Sequence, residues 1–379
     1  MSGRVIVVGS VNIDLVARVP HLPRPGETVT GGSYERHHGG KGGNQAVAAA
    51  RLRRPTLFIG AAGDDTFEKE VRRALMSERV DVSMMASLPG QATGVALILV
   101  DATGENQIAV VPGANGAIET GYVRDCLARL GPLSGDVLLV CNEVPLHVVR
   151  EALVCGHAAG ATTILNPAPA TGIGRSIFGL ADIVTPNRTE LATLLETEAD
   201  RTGRQAESAA ADAAVRAKVL MDAGSDGPGV RKAAIVTLGA SGVVVLERPD
   251  SGLDAVSAAA GERAEPCEDA DGLAAGISAG ISAGTSSAAS GVGPSRDGPL
   301  RVWEVPANRV DTIDTTGAGD AFCGALAAAL AEGRPLAEAV KRAVAAGALA
   351  TTRVGAREGM PSAAELTAFL AARQIGSSA

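Results

Sequence analysis

Aromatic side chains are scarce: one Trp, two Tyr and five Phe make up 2% of 379 residues. So few rings cannot furnish the stacking platforms that single-stranded nucleic-acid binders offer to bases, and they disfavour a nucleoside substrate. Cysteine is equally thin. Cys126, Cys141, Cys155, Cys267 and Cys323 are odd in number, scattered and never spaced Cys-x-x-Cys, so they read as reduced thiols of a cytoplasmic protein. Positive charge is not in excess: 34 Lys+Arg against 42 Asp+Glu leave a net charge of -8, and the basic residues do not cluster. Neither a nucleic-acid nor an anionic-membrane partner is expected, and a small polar substrate fits better. Long hydrophobic runs are missing too. The apolar run at 5–8 is too short for a signal peptide, and the uncharged stretch at 272–295 is Gly, Ala and Ser with few large aliphatics, so no transmembrane segment is expected.

Glycine, in contrast, is plentiful, with 47 residues that must divide between linker and backbone approaching a ligand. Short β-branched runs at 4–8, 56–60, 137–141, 163–165, 183–185, 233–237, 242–246 and 301–305 are predicted strands. Ala- and Leu-rich segments at 44–53, 66–77, 147–157, 206–222, 318–332 and 336–352 are predicted helices. Their alternation is that of βα units, and predicts an α/β fold of three α/β/α layers around a mostly parallel central sheet. Two segments break the rhythm. Residues 94–101 and 106–111 flank Ala102-Thr103-Gly104-Glu105 as a hairpin, and with the extended stretch at 16–30 they suggest a small β-sheet lid drawn from about 12–32 and 93–113. Residues 248–300, rich in Ala, Gly and Ser, read as a flexible surface insertion between two strands of one domain.

That insertion carries Gly276-Ile277-Ser278-Ala279-Gly280, formally a hydrolase elbow, but a triad His must follow it and the last histidine is His157. The loop Gly39-Gly40-Lys41-Gly42-Gly43-Asn44 precedes a helix predicted to begin near Asn44; Gly42 follows Lys41 where a P-loop needs Ser or Thr. Its glycines would let backbone amides approach a ligand while Lys41 and Asn44 donate; the alternative is a plain turn capped by Asn44. In Asp314-Thr315-Thr316-Gly317-Ala318-Gly319-Asp320, a dinucleotide fingerprint fails because its third glycine would fall at Phe322. The free amides of Gly317, Ala318, Gly319 and Asp320 at a helix N-terminus would instead hold a phosphoryl group, with Asp320 placed to take a proton from an attacking hydroxyl. Against this stands a simple cap by Thr315 or Thr316.

Asn12 and Asp14, after the first strand, point the same way in an extended chain and suit neighbouring hydroxyls, or else mark a turn. Asn187 and Glu190 lie one turn apart, either ordering magnesium through water or forming a capping box. The segment Thr237, Leu238, Gly239, Ala240, Ser241, Gly242 joins two strands and would wrap nucleotide phosphates or simply turn. Glu143 is a ligand carboxylate or a solvated loop charge. His37-His38 has no further ligand at metal spacing.

Taken in order, these segments resemble the PfkB family of carbohydrate kinases, its ribokinase branch in particular, from Val5 to about Leu370. The most specific elements are 39–46 and 314–326, supported by Asn166-Pro167-Ala168-Pro169-Ala170 and Thr185-Pro186-Asn187-Arg188-Thr189-Glu190. The resemblance implies a ribokinase-like fold and ATP-dependent phosphorylation of D-ribose at its 5-hydroxyl. It implies a sugar site at Asn12, Ile13, Asp14, Gly40, Lys41, Gly42, Gly43, Asn44 and Glu143, with Asp320 as base. ATP would meet Asn187, the 237–242 segment, Gly319 and Asp320. Magnesium would be ordered through water by Asn187 and Glu190, and potassium held near the anion hole by Asp314, Thr316, Ala350, Arg353, Gly355 and Gly359, largely through carbonyls. A homodimer through the lid is implied as well. The sequence departs from the family at Val344, where Asn or His usually stands beside adenine, at Gly359, where Ser is common, and in the insertion. Retention of Asp320, the glycine turn and Asn187 with Glu190 argues against a non-catalytic sugar-binding relative.

Overall fold

Runs of Val, Ile and Leu form the interior strands, and the computed structural model describes residues 3–195, 209–222, 228–249, 251–253 and 299–376. Most of the insertion, including Cys267 and the elbow-like repeat, lies outside the described residues, as do the first three residues of the helix expected at 206–222. The strands are β1 (Val5–Val8), β2 (Asn12–Arg18), β3 (Tyr34–Gly39), β4 (Thr56–Gly63), β5 (Val80–Leu88), β6 (Gly94–Val100) and β7 (Asn106–Val111), then β8 (Val137–Cys141), β9 (Thr162–Asn166), β10 (Ile183–Val184), β11 (Ala233–Thr237), β12 (Val243–Glu247) and β13 (Arg301–Val305). The helices are α1 (Lys41–Arg51), α2 (Thr66–Ser77), α3 (Ala114–Ala117), α4 (Thr120–Leu130), α5 (Leu146–Ala158), α6 (Arg188–Leu195), α7 (Ala209–Met221), α8 (Ala318–Ala331), α9 (Leu336–Ala350) and α10 (Ala363–Gly376).

Nine strands form the main sheet in the order β13-β12-β11-β10-β9-β8-β1-β4-β5, with only β12 running against its neighbours. Alternation along β1 divides the core. Val5 and Val7 join α1, α8 and α9 on one face, whereas Ile6 and Val8 join α4, α5 and α7 on the other. Side chains of this size, fully buried, each contribute about 1.5–3 kcal/mol, so both faces of the sheet must be covered and a three-layer α/β/α architecture results.

A second sheet, β3-β2-β6-β7, pairs β2 antiparallel with β3 and parallel with β6. Its strand β3 falls beyond the 12–32 range read from sequence, and the extended stretch at 16–30 is a strand only as far as Arg18. Strand β5 and helices α3, α4 and α10 were not predicted, and α6 was anticipated only through the capping-box alternative at Asn187 and Glu190. Helix α1 begins at Lys41, three residues ahead of the expected start. Its N-cap is Gly40, whose φ of +85° suits glycine, so Asn44 lies inside the helix and caps nothing. Among the described residues no helix is long and apolar enough to cross a membrane.

Candidate active site

The C-terminal ends of β1, β8, β9 and β10 meet the N-termini of α1 and α8, the place where open α/β sheets offer polar groups to a ligand. Close helix packing builds the centre. A Cβ at Gly324 would lie 2.5 Å from the Ala48 Cβ and 2.6 Å from the Gln45 carbonyl oxygen, so α8 runs directly against α1. That approach brings Asp320, in the first turn of α8, against Asn44 and Gln45. Asn44 Nδ2 donates to Asp320 Oδ2 at 3.1 Å and Gln45 Nε2 donates to Oδ1 at 3.1 Å. Gln45 Nε2 also donates to Asn166 Oδ1 at 3.0 Å, whose own amide donates to the Thr185 carbonyl at 3.0 Å. Burial pushes the Asp320 carboxyl above the usual range despite the nearby Lys41 charge and the two amide donors. Reciprocally, the Asp320 charge raises Lys41 and keeps its ammonium protonated.

Two glycines of the 39–43 run also serve the chain's own packing. A Cβ on Gly40 would stand 2.6 Å from Val11 Cα, and one on Gly42 would stand 2.7 Å from the Ser10 amide nitrogen. Their lack of side chains lets the first turn of α1 pack on the turn after β1, where Gly43 N donates to the Ser10 carbonyl at 2.8 Å. Glu143, two residues past β8, accepts the Lys41 amide at 2.9 Å and the Ser10 hydroxyl. It is a structural acceptor as well as a candidate ligand.

Asn12 and Asp14 share one face of β2, and the neighbouring strands leave them room. A Cβ on Gly39 would meet Asp14 Oδ1 at 2.2 Å, and one on Gly94 would meet Asn12 Oδ1 at 2.3 Å. Asn115 Nδ2 donates to Asn12 Oδ1 at 2.9 Å. Burial first, and the Glu143 charge after it, raise Asp14 from 3.8 to about 6, with Arg357 and His37 opposing. Ile13 points the other way and is wholly buried in the core, so its side chain does not join those of Asn12 and Asp14.

At the N-terminus of α8, Gly317 is left-handed at φ +75°. Of the amides assigned to the anion hole, that of Ala318 is engaged by the Thr315 carbonyl at 3.2 Å, while a Cβ at Gly319 would meet only open space. The 237–242 loop is also assembled: Thr237 bridges to Asn187, and Gly239–Ser241 form a single exposed turn closed by Leu238 N to Gly242 O at 2.8 Å. Asn187 and Glu190 form the capping box. Glu190 N donates to Asn187 Oδ1 at 2.7 Å and Asn187 N donates to Glu190 Oε2 at 2.8 Å. Glu190 still feels Lys41 and Asp320, and burial raises its carboxyl. Val344, on α9, is buried in the core, 6% exposed.

The potassium candidates gather at the turn after α9. Asp314 accepts the Gly355 amide at 2.8 Å and the Thr316 amide at 2.9 Å. A Cβ on Gly359 would lie 2.3 Å from the Ala350 carbonyl oxygen and 3.1 Å from that of Gly355, so carbonyls converge there with a carboxylate beside them. This hard-oxygen set suits a monovalent cation. Arg353 sends its guanidinium to Glu365 and can offer only its carbonyl.

Two buried participants were not picked out from sequence. Gln45, although inside the glycine motif, was not singled out; its place next to Asn44 was the only clue. Arg357 lies under the same floor, 5% exposed, and no local pattern announces it.

A buried carboxylate in the first turn of a helix, beside a glycine turn, a lysine and the polar side chains of Asn44 and Gln45, is a set of groups suited to phosphoryl transfer to a hydroxyl. The chain matches the model of the pfkB family carbohydrate kinase over residues 2–290 and 298–363, and it belongs to that family. It is 33% identical to a ribokinase of Haemophilus influenzae over 96% of this chain and 97% of the relative. A crystal structure of ribokinase from Thermotoga maritima superposes with a TM-score of 0.72 at 29% identity, covering 97% of this chain and 99% of that one. The Arabidopsis thaliana ribokinase complexed with ribose and ATP gives 0.69 at 25% identity over 98% and 99%.

Proposed function

We propose that the chain is a ribokinase: it transfers the γ-phosphoryl group of ATP to the 5-hydroxyl of D-ribose, giving D-ribose 5-phosphate and ADP. The observation that carries the reading is Asp320, buried at the first turn of α8 with both carboxylate oxygens held by amides of α1. Asp14, Asn12 and Glu143 hold the sugar hydroxyls, with Lys41 and Asn44 at its edge. Asp320 takes the 5-hydroxyl proton during in-line attack, and the amides of Gly317, Gly319 and Asp320 receive the equatorial oxygens of the transferring group. The helix dipole of α8 adds to that field. ATP lies along Asn187 and the 237–242 turn, whose exposed Gly239 leaves room for phosphates.

Magnesium, when bound, neutralises charge on the phosphates; Glu190 and Asn187 suit contact through water because their capping box already fixes both side chains. The carbonyls of Ala350 and Gly355 beside Asp314 would hold potassium, whose charge would steady the turn that abuts Gly317, where a Cβ would lie 2.8 Å from Ala356 Cα. Leu97, Ile108 and Val110 expose 47%, 56% and 55% of their surface on the small sheet, which supports its service as a lid and as the seam of a homodimer. Four cysteines without disulfides among the described residues agree with a cytoplasmic setting.

The test is ADP release with ribose, deoxyribose, fructose, adenosine and pseudouridine, each with and without potassium. Ribose should give the highest kcat/KM, rising with potassium. ADP release from fructose or a nucleoside but not from ribose would defeat the substrate assignment.

A further inference from the structure

An asparagine amide has an accepting end and a donating end, and a catalytic role for Asn44 depends on which end faces the base. Asn44 Nδ2 donates to Asp320 at 3.1 Å, while Arg357 Nε donates to Asn44 Oδ1 at 2.9 Å. A guanidinium has only donors and a carboxylate only acceptors, so Arg357 on one side and Asp320 on the other admit a single orientation. Reversing the amide would set NH2 against guanidinium and oxygen against carboxylate.

Arg357 is itself held hard. Its Nη2 donates to the Gly39 carbonyl at 3.0 Å, its own carbonyl accepts Arg51 Nη1 at 2.6 Å, and a Cβ on Gly43 would stand 2.5 Å from Nη2. Its Nη1 is buried with no partner among the described residues. A neutral side chain would fill this space without the desolvation that a buried cation suffers.

We propose that Arg357 is a positioning residue for phosphoryl transfer: it orients the Asn44 amide so that its NH2 is always presented to Asp320. The assignment rests on Asp320 being the base of the proposed reaction. The charged and titratable groups that also face Asp320 are Lys41 on α1, Glu143 after β8, Glu190 on α6 and Asp14 on β2, with the Cys141 and Cys323 thiols. None of them touches Asn44 Oδ1.

The experiment uses the full chain and two variants, Arg357→Met, which keeps the volume and removes every donor, and Arg357→Gln, which keeps an NH2. Arg357→Met should lower kcat roughly tenfold to a hundredfold, the worth of a charge-assisted hydrogen bond, and move the acid limb of kcat to higher pH. Arg357→Gln should recover most of both. In an Asn44→Ala background, Arg357→Met should have no further effect on kcat. Independently of any substrate, the side-chain amide signals of Asn44, assigned by their loss in Asn44→Ala, should shift in Arg357→Met and less in Arg357→Gln. Unmoved amide signals, or kcat effects that multiply in the double variant, would overturn the proposal. Should another sugar prove to be the acceptor, the ribose reading fails alone, and the amide signals still decide the role of Arg357.

Discussion

Asp320→Asn is the sharpest perturbation of the proposed chemistry, because it changes two atoms' charge and almost no volume. The two carboxylate oxygens receive one amide each, from Asn44 and Gln45. The new amide offers a single oxygen, so one donor is left facing an NH2. Gln45 can turn, since its Oε1 has no partner among the described residues, but turning withdraws the hydrogen bond to Asn166. The loss is one neutral hydrogen bond, about 1 kcal/mol. It is offset by removing a carboxylate whose burial disfavours its charge, so the melting temperature should barely move. Turnover is another matter. Without a base, kcat should fall by about 10²–10⁴, or roughly 3–5 kcal/mol in the barrier. Ribose binding measured by calorimetry should stay within about tenfold, because Asp14, Asn12 and Glu143 are untouched. Coupled ADP release then reads the chemistry alone. A variant that folds, binds ribose and turns over within tenfold of the parent would falsify the role of Asp320.

Three further outcomes follow from the geometry. Asp14 is held near 6, so ribose affinity should weaken as pH falls through that value, and Asp14→Asn should bind weakly but without this acid limb in calorimetry. The folded value lies above the ordinary 3.8, so Asp14 favours folding at low pH, and that contribution is lost between pH 4 and 6, about 3 kcal/mol in all. Gly324→Ala puts a methyl 2.5 Å from the Ala48 Cβ, which should cost about 1–3 kcal/mol in denaturant unfolding and lower kcat by parting Asp320 from α1; an unchanged midpoint would contradict the packing. Gly359→Ala places a methyl 2.3 Å from the Ala350 carbonyl, so potassium should no longer accelerate ADP release over sodium. Retained activation would remove this cluster from consideration.

How much of this was legible beforehand depended on whether the signal was local. β8 and β11 and helix α2 were read at their observed bounds because period and composition agree there. The placement of Asp320 in the first turn of α8 was legible from a glycine turn at the head of an apolar helix, while its burial against Asn44 and Gln45 was not. The packing of Gly40 and Gly42 on the turn after β1 was not legible, since a glycine next to a ligand and a glycine next to one's own chain look alike in sequence. The direction of Ile13 was legible, because alternation with Asn12 and Asp14 turns it to the core, and only the resemblance put it among the sugar-site residues. Arg357 had no signal at all. Its partners Asn44 and Gly39 lie more than 300 residues away, and nothing in a single sequence links such positions.

The charges of the site explain why so many neutral donors surround it. Asp14, Glu143, Glu190 and Asp320 bring four carboxylates around two cations, Lys41 and Arg357, and an incoming nucleotide would add more negative charge. A third cation would offset part of that charge but would also hold Asp320 ionised and make it a poor base. Amides avoid that conflict. Asn44 and Gln45 stabilise the Asp320 charge without cancelling it, the Lys41 backbone N–H and the Ser10 hydroxyl do the same for Glu143, and the first turn of α8 meets the phosphoryl oxygens with dipoles. In the proposed reaction, Asp320 on taking the proton would cease to be the counter-charge that chiefly raises Lys41, so the base and the lysine would form one unit whose balance shifts with the proton.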